Sequence, residues 1–354
     1  MKKIGVIIIS LLLLSTLKAQ TMFYDASVFP LLGQISEETE TRYERLPVKL
    51  KEVSRLPVWR LGKCTTGLVI RFCSDSQHFS FRWETLYDEN QKHMAPTGVK
   101  GLDLYSLEDG VWTYMCTAFP TAKKSETTPI SGMEKKEREL MLFLPLYDGI
   151  VSVEIGIDSS AFIGQPKIEL PLRSKPIVFY GTSITQGGCA SRPGMAYTNI
   201  LLRRFNREII NLGFSGNGLL DYEIAELMAE CDASIYILEY GNCTVEQITE
   251  RTENFYRILR NKRTDTPIVF IENYQYTWAK FLASSSVNAK DKALQAVFNN
   301  LKAKKEKNIW LISTAGSIGT DGEATVDARH LTDLGFMRYS EFLYPIIQKI
   351  IEKQ

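Results

Sequence analysis

The sequence predicts an α/β protein, in which an antiparallel β-sandwich precedes a three-layer α/β/α unit built on a five-stranded parallel sheet. Two different patterns of apolar residues along the 354 residues support this prediction. Over residues 21–174, short apolar or alternating runs are separated by Asp-Gly turns, which is typical of antiparallel strands. Over residues 175–354, buried-strand runs alternate with helical runs, which is typical of a parallel sheet with helices on both faces.

Residues 1–20 have the pattern of a secretory signal peptide and are expected to lie outside the fold. Two lysines precede an apolar run from Ile4 to Leu14, and small or polar residues follow up to Gln20. The run is too short to span a bilayer, which takes about 20 apolar residues. An uncleaved anchor is the alternative. We expect an exported protein, periplasmic or extracellular, with no stable membrane span after cleavage.

Charge and cysteine content narrow the classes of partner. The chain has 42 basic and 41 acidic side chains, so it lacks the basic field of nucleic-acid binders. Its six cysteines form no C-x-x-C pair, which argues against zinc or redox motifs, and most are expected to be buried thiols. We therefore expect no nucleic-acid partner, no metal and no cofactor. Disulfide pairing and oligomeric state stay open.

In the β-rich half, the predicted strands are the apolar or alternating runs Gly67–Cys73, His78–Trp83, Leu140–Leu144 and Val151–Ile155. The polar stretch from Lys123 to Arg138 is expected to be a solvated loop between strands.

In the α/β half, short β-branched runs predict the five strands Ile177–Tyr180, Glu208–Leu212, Ser234–Leu238, Pro267–Ile271 and Asn308–Ile312. Runs with helical period predict the helices Tyr197–Phe205, Leu219–Glu230, Val245–Lys262, Ala289–Lys305 and Asp333–Glu352.

The turns that follow the strands hold the candidate functional residues, because parallel sheets bind ligands beyond the carboxyl ends of their strands. The first strand leads into Gly181–Gly188, which lacks the lysine of a phosphate loop and the G-x-S-x-G elbow. It places Ser183 in a tight turn, where the hydroxyl is either a nucleophile or a helix N-cap. The next strands lead into Asn211–Gly218 and Glu239–Asn242.

An aspartate and a histidine come just before the last helix. Asp327 and His330 are three residues apart, so the carboxylate can hold one ring nitrogen while the other faces a serine. The other histidines, His78 and His93, both belong to the β-rich half.

Taken in order, these blocks resemble those of a known enzyme family. Gly181-Thr-Ser183, Gly216, Asn242 and Asp327-x-x-His330 resemble the four sequence blocks of the SGNH (GDSL-type) hydrolases. The β-rich half contains Gly101-Leu-Asp-Leu-Tyr105, which resembles the GxDLY signature of one branch of SGNH-type esterases. The resemblance covers both halves and implies an SGNH-hydrolase fold for residues 175–354.

The resemblance also implies a role for each matching position. Ser183 would be the nucleophile, His330 the general base and then general acid, and Asp327 the group that orients the imidazole. The backbone N–H groups of Ser183 and Gly216 and the side-chain amide of Asn242 would form the oxyanion hole.

Three positions depart from the family pattern. Thr182 stands where the name-giving motif has Asp, and Asn242 follows Tyr-Gly where this branch tends to have Pro. Ala328 and Leu331 stand where Gly and Pro are usual around the histidine. None of these is a reacting residue, so they bear on loop geometry and substrate preference.

The expected function is hydrolysis of short acyl esters, mainly O-acetyl esters on carbohydrates, through a covalent acyl-serine. Aromatic residues in the loop Glu272–Trp278 would stack on sugar rings or pack against the β-rich half. Asp103 and Tyr105 would either reach the rim of the site or have buried structural roles. The alternatives are a hydrolase of lipid or other acyl esters and a catalytically inactive glycan-binding protein.

Overall fold

The computed structural model describes residues 20–274, 281 and 286–353. The predicted signal peptide, except Gln20, therefore lies outside the described residues, and so do residues 275–278 of the aromatic loop. Within the described residues, no helix has both the length and the apolar character needed to cross a membrane.

The β-rich half consists of two antiparallel sheets packed face to face, as the sequence predicts. Its strands are β1 (Thr21–Asp25), β2 (Leu31–Leu32), β3 (Val69–Ser74), β4 (Phe79–Thr85), β5 (Leu102–Glu108), β6 (Val111–Ala118), β7 (Lys124–Ile130), β8 (Arg138–Phe143), β9 (Ile150–Asp158) and β10 (Ile163–Gly164). One sheet has the order β1-β9-β4-β7, and the other has β10-β3-β8-β5-β6 with β2 paired to β3. Two short helices, α1 (Leu56–Gly62) and α2 (Pro96–Lys100), lie between strands.

The prediction of a loop from Lys123 to Arg138 is wrong, because β7 occupies Lys124–Ile130 and forms the edge of the first sheet. Polar cross-strand pairs attach it to β4. Arg82 Nε donates to Glu126 Oε2 at 2.8 Å, and the hydroxyls of Ser80 and Thr128 are 2.7 Å apart. An edge strand can be polar on its outer face, so this strand lacks the apolar signal used to predict the others.

The α/β half alternates strands and helices along the chain. Its elements are β11 (Leu172–Gly181), α3 (Ser183–Gln186), α4 (Tyr197–Phe205), β12 (Arg207–Gly213), α5 (Tyr222–Glu230), β13 (Ile235–Glu239), α6 (Val245–Lys262), β14 (Ile268–Ile271), α7 (Ser286–Ala303), β15 (Ile309–Ile312) and α8 (Asp333–Ile351). The five strands are parallel, in the order β12-β11-β13-β14-β15, which confirms the predicted sheet.

Most predicted element bounds in this half agree with the structure to within a few residues, and those of α4 and α6 agree at both ends. The helix predicted from Leu219 begins instead at Tyr222. Leu220 has φ +60°, a left-handed conformation that a helix cannot contain, and Asp221 occupies the N-cap.

The two halves share apolar clusters on both sides of the parallel sheet. Along β11, Ile177 and Phe179 face one side of the sheet, while Val178 and Tyr180 face the other. The first side packs against α4 and α8 and also against residues of the second β-sheet such as Tyr105 and Phe143. The second side has Leu46 and Trp59 of the β-rich half in its cluster, so the β-rich half contributes to the cores on both faces of the parallel sheet.

Candidate active site

The turn after β11 places Ser183 at the start of a short helix. Thr182 is the N-cap, with its Oγ1 3.5 Å from the backbone nitrogen of Ile184, and Gly187 ends the helix at φ +97°. The alternative that Ser183 is the N-cap is therefore wrong, because the N-cap is the preceding residue. Because Thr182 does the capping, the Ser183 hydroxyl is free to bond elsewhere.

Ser183, His330 and Asp327 form a continuous hydrogen-bonded chain. The Oγ atom of Ser183 lies 3.0 Å from Nε2 of His330, and Nδ1 of His330 lies 2.7 Å from Oδ2 of Asp327. Because a carboxylate only accepts hydrogen bonds, Nδ1 carries the proton and Nε2 presents its lone pair to the serine. The serine is 7% exposed, so the hydroxyl lies near the surface without facing bulk water.

The loop before α8 fixes the aspartate against the histidine. Oδ1 of Asp327 accepts hydrogen bonds from the backbone N–H groups of His330 (2.6 Å) and Arg329 (3.0 Å). Burial raises the pKa of Asp327, but these bonds and the bond from the His330 ring outweigh burial and leave the pKa below its ordinary value. Ala328 has φ +64°, a left-handed conformation that explains why related sequences favour glycine there.

The expected oxyanion residues Gly216 and Asn242 follow β12 and β13, the two strands that flank β11. Gly216 has φ +69°, and a Cβ added there would point into open space. Its loop is held by a bond of 2.8 Å from Ser215 N–H to Gln186 Oε1. In the part of the chain that the structure describes, Oδ1 of Asn242 is buried without a hydrogen-bond partner, so no structural bond ties down this amide oxygen.

Glu239, which the sequence analysis did not single out, joins the nucleophile turn to the Asn242 loop. Its buried carboxylate accepts bonds from the Thr182 backbone N–H (3.0 Å), the Thr182 hydroxyl (2.8 Å), the Thr185 hydroxyl (3.0 Å) and the Gly241 N–H (3.1 Å). This carboxylate explains the absence of the family's Asp at position 182, because an aspartate there would face Glu239 directly.

The GxDLY residues attach the β-rich half to the loop after the nucleophile helix. Asp103 Oδ2 accepts bonds of 2.7 Å from Arg192 Nη1 and from Gly194 N–H, and Arg192 Nη1 also donates to the Tyr105 hydroxyl. Asp103 is fully buried. Of the two roles considered for Asp103 and Tyr105, the geometry supports the buried structural one.

Another residue of the β-rich half touches the nucleophile itself. The hydroxyl of Tyr147 donates a hydrogen bond of 3.3 Å to the backbone oxygen of Ser183. Gln186, the last residue of the same short helix, donates to the Leu146 backbone oxygen at 3.2 Å. The β-rich half therefore braces the turn that carries the serine.

His93 and Cys189 lie beside His330. The His93 and His330 rings have centroids 5.2 Å apart, and one ligand atom each from His93, Cys189 and His330 lies within 4.8 Å of the other two. Burial raises the pKa of the Cys189 thiol to about 12, and the nearby charge of Asp327 acts in the same direction. Each of these residues is at least 96 positions from the next, so no spacing in the sequence could have indicated the cluster.

Tyr274 of the aromatic loop has a structural role. Its ring is buried and meets Tyr339 edge-on at 6.0 Å, and its hydroxyl donates to the backbone oxygen of Arg329. It therefore supports the loop of the histidine and is not a platform for a sugar ring. The other aromatic side chains of the loop, Tyr276 and Trp278, lie outside the described residues.

Comparisons with known proteins agree with this architecture. Residues 174–348 match the GDSL-like lipase/acylhydrolase family, and residues 21–163 match the GxDLY family, the N-terminus of SGNH-hydrolase-type esterases. Among curated proteins no match is found.

Solved structures resemble the chain over nearly its whole length. A protein described as a GDSL-like lipase from Bacteroides ovatus is 34% identical, with a TM-score of 0.90 over 94% of this chain and 98% of its own. The salicylyl-acyltransferase of a tetracycline biosynthetic pathway is 17% identical, with a TM-score of 0.74 over 93% of this chain and 97% of its own. An acetyl xylan esterase from the rumen bacterium Butyrivibrio proteoclasticus is 12% identical, with a TM-score of 0.56 over 93% and 98%.

Proposed function

We propose a function for this chain, which belongs to the GDSL-like lipase/acylhydrolase family and is a carboxylic-ester hydrolase. It is an exported serine esterase that removes short acyl groups, mainly O-acetyl groups, from carbohydrates. The observation that carries the proposed mechanism is the chain of bonds from Ser183 Oγ through the His330 ring to Asp327, at 3.0 and 2.7 Å.

In the first half of the reaction, Ser183 Oγ attacks the carbonyl carbon of the ester while His330 Nε2 takes the hydroxyl proton. The carbonyl oxygen becomes an oxyanion, which accepts bonds from the N–H groups of Ser183 and Gly216 and from the Asn242 amide. The intermediate collapses, the carbon–oxygen bond to the alcohol breaks, and His330 gives its proton to the departing alcohol. Asp327 stabilises the imidazolium throughout.

In the second half, water attacks the acyl group on Ser183. His330 removes a proton from the water, the same donors bind the second oxyanion, and the proton returns to Ser183 Oγ as the carboxylic acid departs. Each oxyanion donor is worth about 10²–10³ in rate, because it acts where charge develops in a site that excludes water.

Two considerations support a carbohydrate O-acetyl ester as substrate. The acetyl xylan esterase from Butyrivibrio proteoclasticus has the same two-part fold over 93% of this chain. Ionisable side chains lie at the loops of the site, with His93 beside the His330 ring and Lys290 bonded to the Gly241 oxygen, next to Asn242, at 2.8 Å. Such polar surroundings suit a hydroxyl-rich substrate better than a long acyl chain.

The test is acetate release from a panel of acetylated polysaccharides by the parent and by Ser183→Ala. We expect a loss of at least about 10³-fold in kcat/KM, as when a triad nucleophile is removed. Ser191→Ala is the matched control, because the Ser191 hydroxyl donates to Asp333 and not to His330. Equal activity in Ser183→Ala and the parent would refute the mechanism.

A series of p-nitrophenyl esters of rising chain length separates the proposal from its alternatives. A rate that is highest for acetate supports a short acyl group, whereas a rate that rises with chain length favours lipid or other acyl esters. Failure to hydrolyse any of them, with intact glycan binding, favours an inactive binding protein. Export is tested separately, by sequencing the N-terminus of protein recovered from the periplasm or the medium.

A further inference from the structure

Three metal-ligand side chains from distant parts of the chain meet at the active-site histidine. His93 precedes α2 in the β-rich half, Cys189 follows the nucleophile helix, and His330 precedes α8. Their ligand atoms lie within 4.8 Å of one another. In a tetrahedral zinc site, bonds of about 2.0–2.1 Å to nitrogen and about 2.3 Å to sulfur place ligand atoms about 3.3–3.6 Å apart. A contraction of about an ångström would therefore complete the site.

The cluster combines the exposed His93 with the buried Cys189 and the half-buried His330. The His93 side chain is exposed, although its neighbour Met94 is buried in the shared core, so the ring can turn inward on a fixed backbone. Cys189 is buried and has φ +74°, a left-handed conformation that is unfavourable for a non-glycine residue. This backbone places a thiol beside His330.

The third ligand already has the outer contact that metal-binding histidines require. A histidine that binds a metal through one ring nitrogen almost always donates the other N–H to a carboxylate or carbonyl, which fixes the ring. Asp327 accepts this bond from His330 Nδ1 at 2.7 Å. Nε2 is the ring nitrogen left over, and it lies 3.0 Å from Ser183 Oγ.

We propose that His93, Cys189 and His330 bind one Zn²⁺ ion or a similar thiophilic divalent ion, and that the metal-bound form is inactive. The inhibition rests on the proposed function, in which His330 Nε2 is the general base. The lone pair that would take the Ser183 proton is donated to the metal, and the Cys189 thiol loses its proton to solvent on coordination. Removal of the metal returns both groups to their original state.

The donor set determines which ions bind. Thiolate and imidazole ligands select zinc, copper and related ions, whereas magnesium and calcium prefer oxygen ligands. The three side chains leave a fourth tetrahedral position for water. Zn²⁺ should therefore inhibit, and Mg²⁺ at the same concentration should not.

The first measurement is inhibition of p-nitrophenyl acetate hydrolysis by Zn²⁺, with the metal-free rate of each variant as its own reference. We expect EDTA to reverse the inhibition. Half-maximal inhibition of His93→Gln and of Cys189→Ser should each require at least about tenfold more Zn²⁺ than that of the parent, because even a substitution outside the ligands weakens metal binding by about 10–100-fold. Cys231→Ser is the matched control, because Cys231 lies at the amino end of β13. Unchanged inhibition in both ligand variants would overturn the proposal.

The second measurement detects binding without catalysis, by titrating Co²⁺ into the full chain and into Ser183→Ala. A thiolate-to-cobalt charge-transfer band should reach its maximum at one equivalent in both proteins and be absent in Cys189→Ser. If that band does not form while Ser183-dependent hydrolysis persists, the metal site is wrong and the proposed function stands. If the band forms but Ser183→Ala remains as active as the parent, the proposed function fails and only the binding site is supported.

Discussion

Replacing Glu239 by glutamine tests whether one buried carboxylate positions the nucleophile relative to the oxyanion loop. The carboxylate binds Thr182 and Thr185 on one side and the Gly241 N–H on the other, at 2.8–3.1 Å. An amide keeps only one acceptor oxygen. If that oxygen faces Thr182, the new NH₂ group faces the Gly241 N–H, and two donors meet.

The expected size of the effect follows from these bonds. A buried donor left without a partner costs about 1–3 kcal/mol, and a bond to a charged acceptor is worth about 1.5–3 kcal/mol against about 1 for a neutral one. We therefore expect the free energy of unfolding to fall by about 2–4 kcal/mol. Gly241 precedes Asn242, and a misplacement of about 1 Å in a catalytic group can cost about 10²-fold. We expect kcat to fall by about 10–100-fold, with KM nearly unchanged.

The assay pairs urea unfolding with p-nitrophenyl acetate kinetics, and Glu272→Gln serves as the matched control. Both glutamates are 7% exposed; Glu239 ends β13, and Glu272 directly follows the neighbouring strand β14. The Glu272 side chain accepts its bond from Gln295 and not from the nucleophile turn. The control should lose stability with little change in kcat. A folded Glu239→Gln with kcat within about twofold of the parent would refute the positioning role, since twofold corresponds to only about 0.4 kcal/mol in the barrier.

The same carboxylate makes a reciprocal test possible. Thr182→Asp restores the family's residue but places a second carboxylate where the Thr182 hydroxyl now lies 2.8 Å from Glu239. Two carboxylates at that distance cannot both be ionised without a penalty, so the single variant should lose stability and activity. Adding Glu239→Thr should recover part of both. A fully active Thr182→Asp would contradict our explanation of the departure.

Three further outcomes follow from the hydrogen bonds of the site. Because the pKa of Asp327 lies below its ordinary value of 3.8, this carboxylate stays ionised and its stabilising bonds persist until the pH falls through that lowered value. The profile of log kcat/KM against pH should therefore contain no step from protonation of Asp327 down to about pH 5, and a limb of slope two in that range would contradict this reasoning. Arg192→Met should lower the free energy of unfolding by about 3 kcal/mol, because it leaves the buried Asp103 charge without its cation, and urea unfolding measures the change. Ala328→Gly should raise the free energy of unfolding by about 1 kcal/mol through relief of its left-handed backbone, and a loss would show that the alanine methyl group makes a compensating contact.

The parallel sheet and its order of elements could be predicted because strand and helix periods differ. Each strand of the α/β half is a short apolar run, and the helices between them show a different repeat. The polar edge strand Lys124–Ile130 could not be predicted in this way, since its stability comes from cross-strand pairs such as Arg82–Glu126. The strand propensity of a segment depends only on its own residues, whereas strand pairing depends on a second segment elsewhere in the chain.

The residues of the candidate site also differ in whether the sequence could predict them. Ser183, Asp327 and His330 could be proposed because each follows or precedes an element whose end is known to face the ligand edge of a parallel sheet. Glu239 and Cys189 also lie in such turns, yet their roles depend on what meets them from other strands. A contact between residues 93, 189 and 330 is a property of the fold and leaves no trace in local sequence.

The structure also changes how the β-rich half should be understood. Its Asp103 and Tyr105 hold the Arg192 loop, its Tyr147 bonds the backbone of the nucleophile, and its apolar residues share a core with the parallel sheet. Arg45, which is fully buried, donates to the backbone oxygens of Asn211 and Gly213 at 2.8 and 2.9 Å, at the base of the Gly216 loop. The nucleophile turn and the Gly216 loop are thus fixed partly from outside their own half. A substitution in the β-rich half can therefore change the rate of catalysis without contacting the substrate.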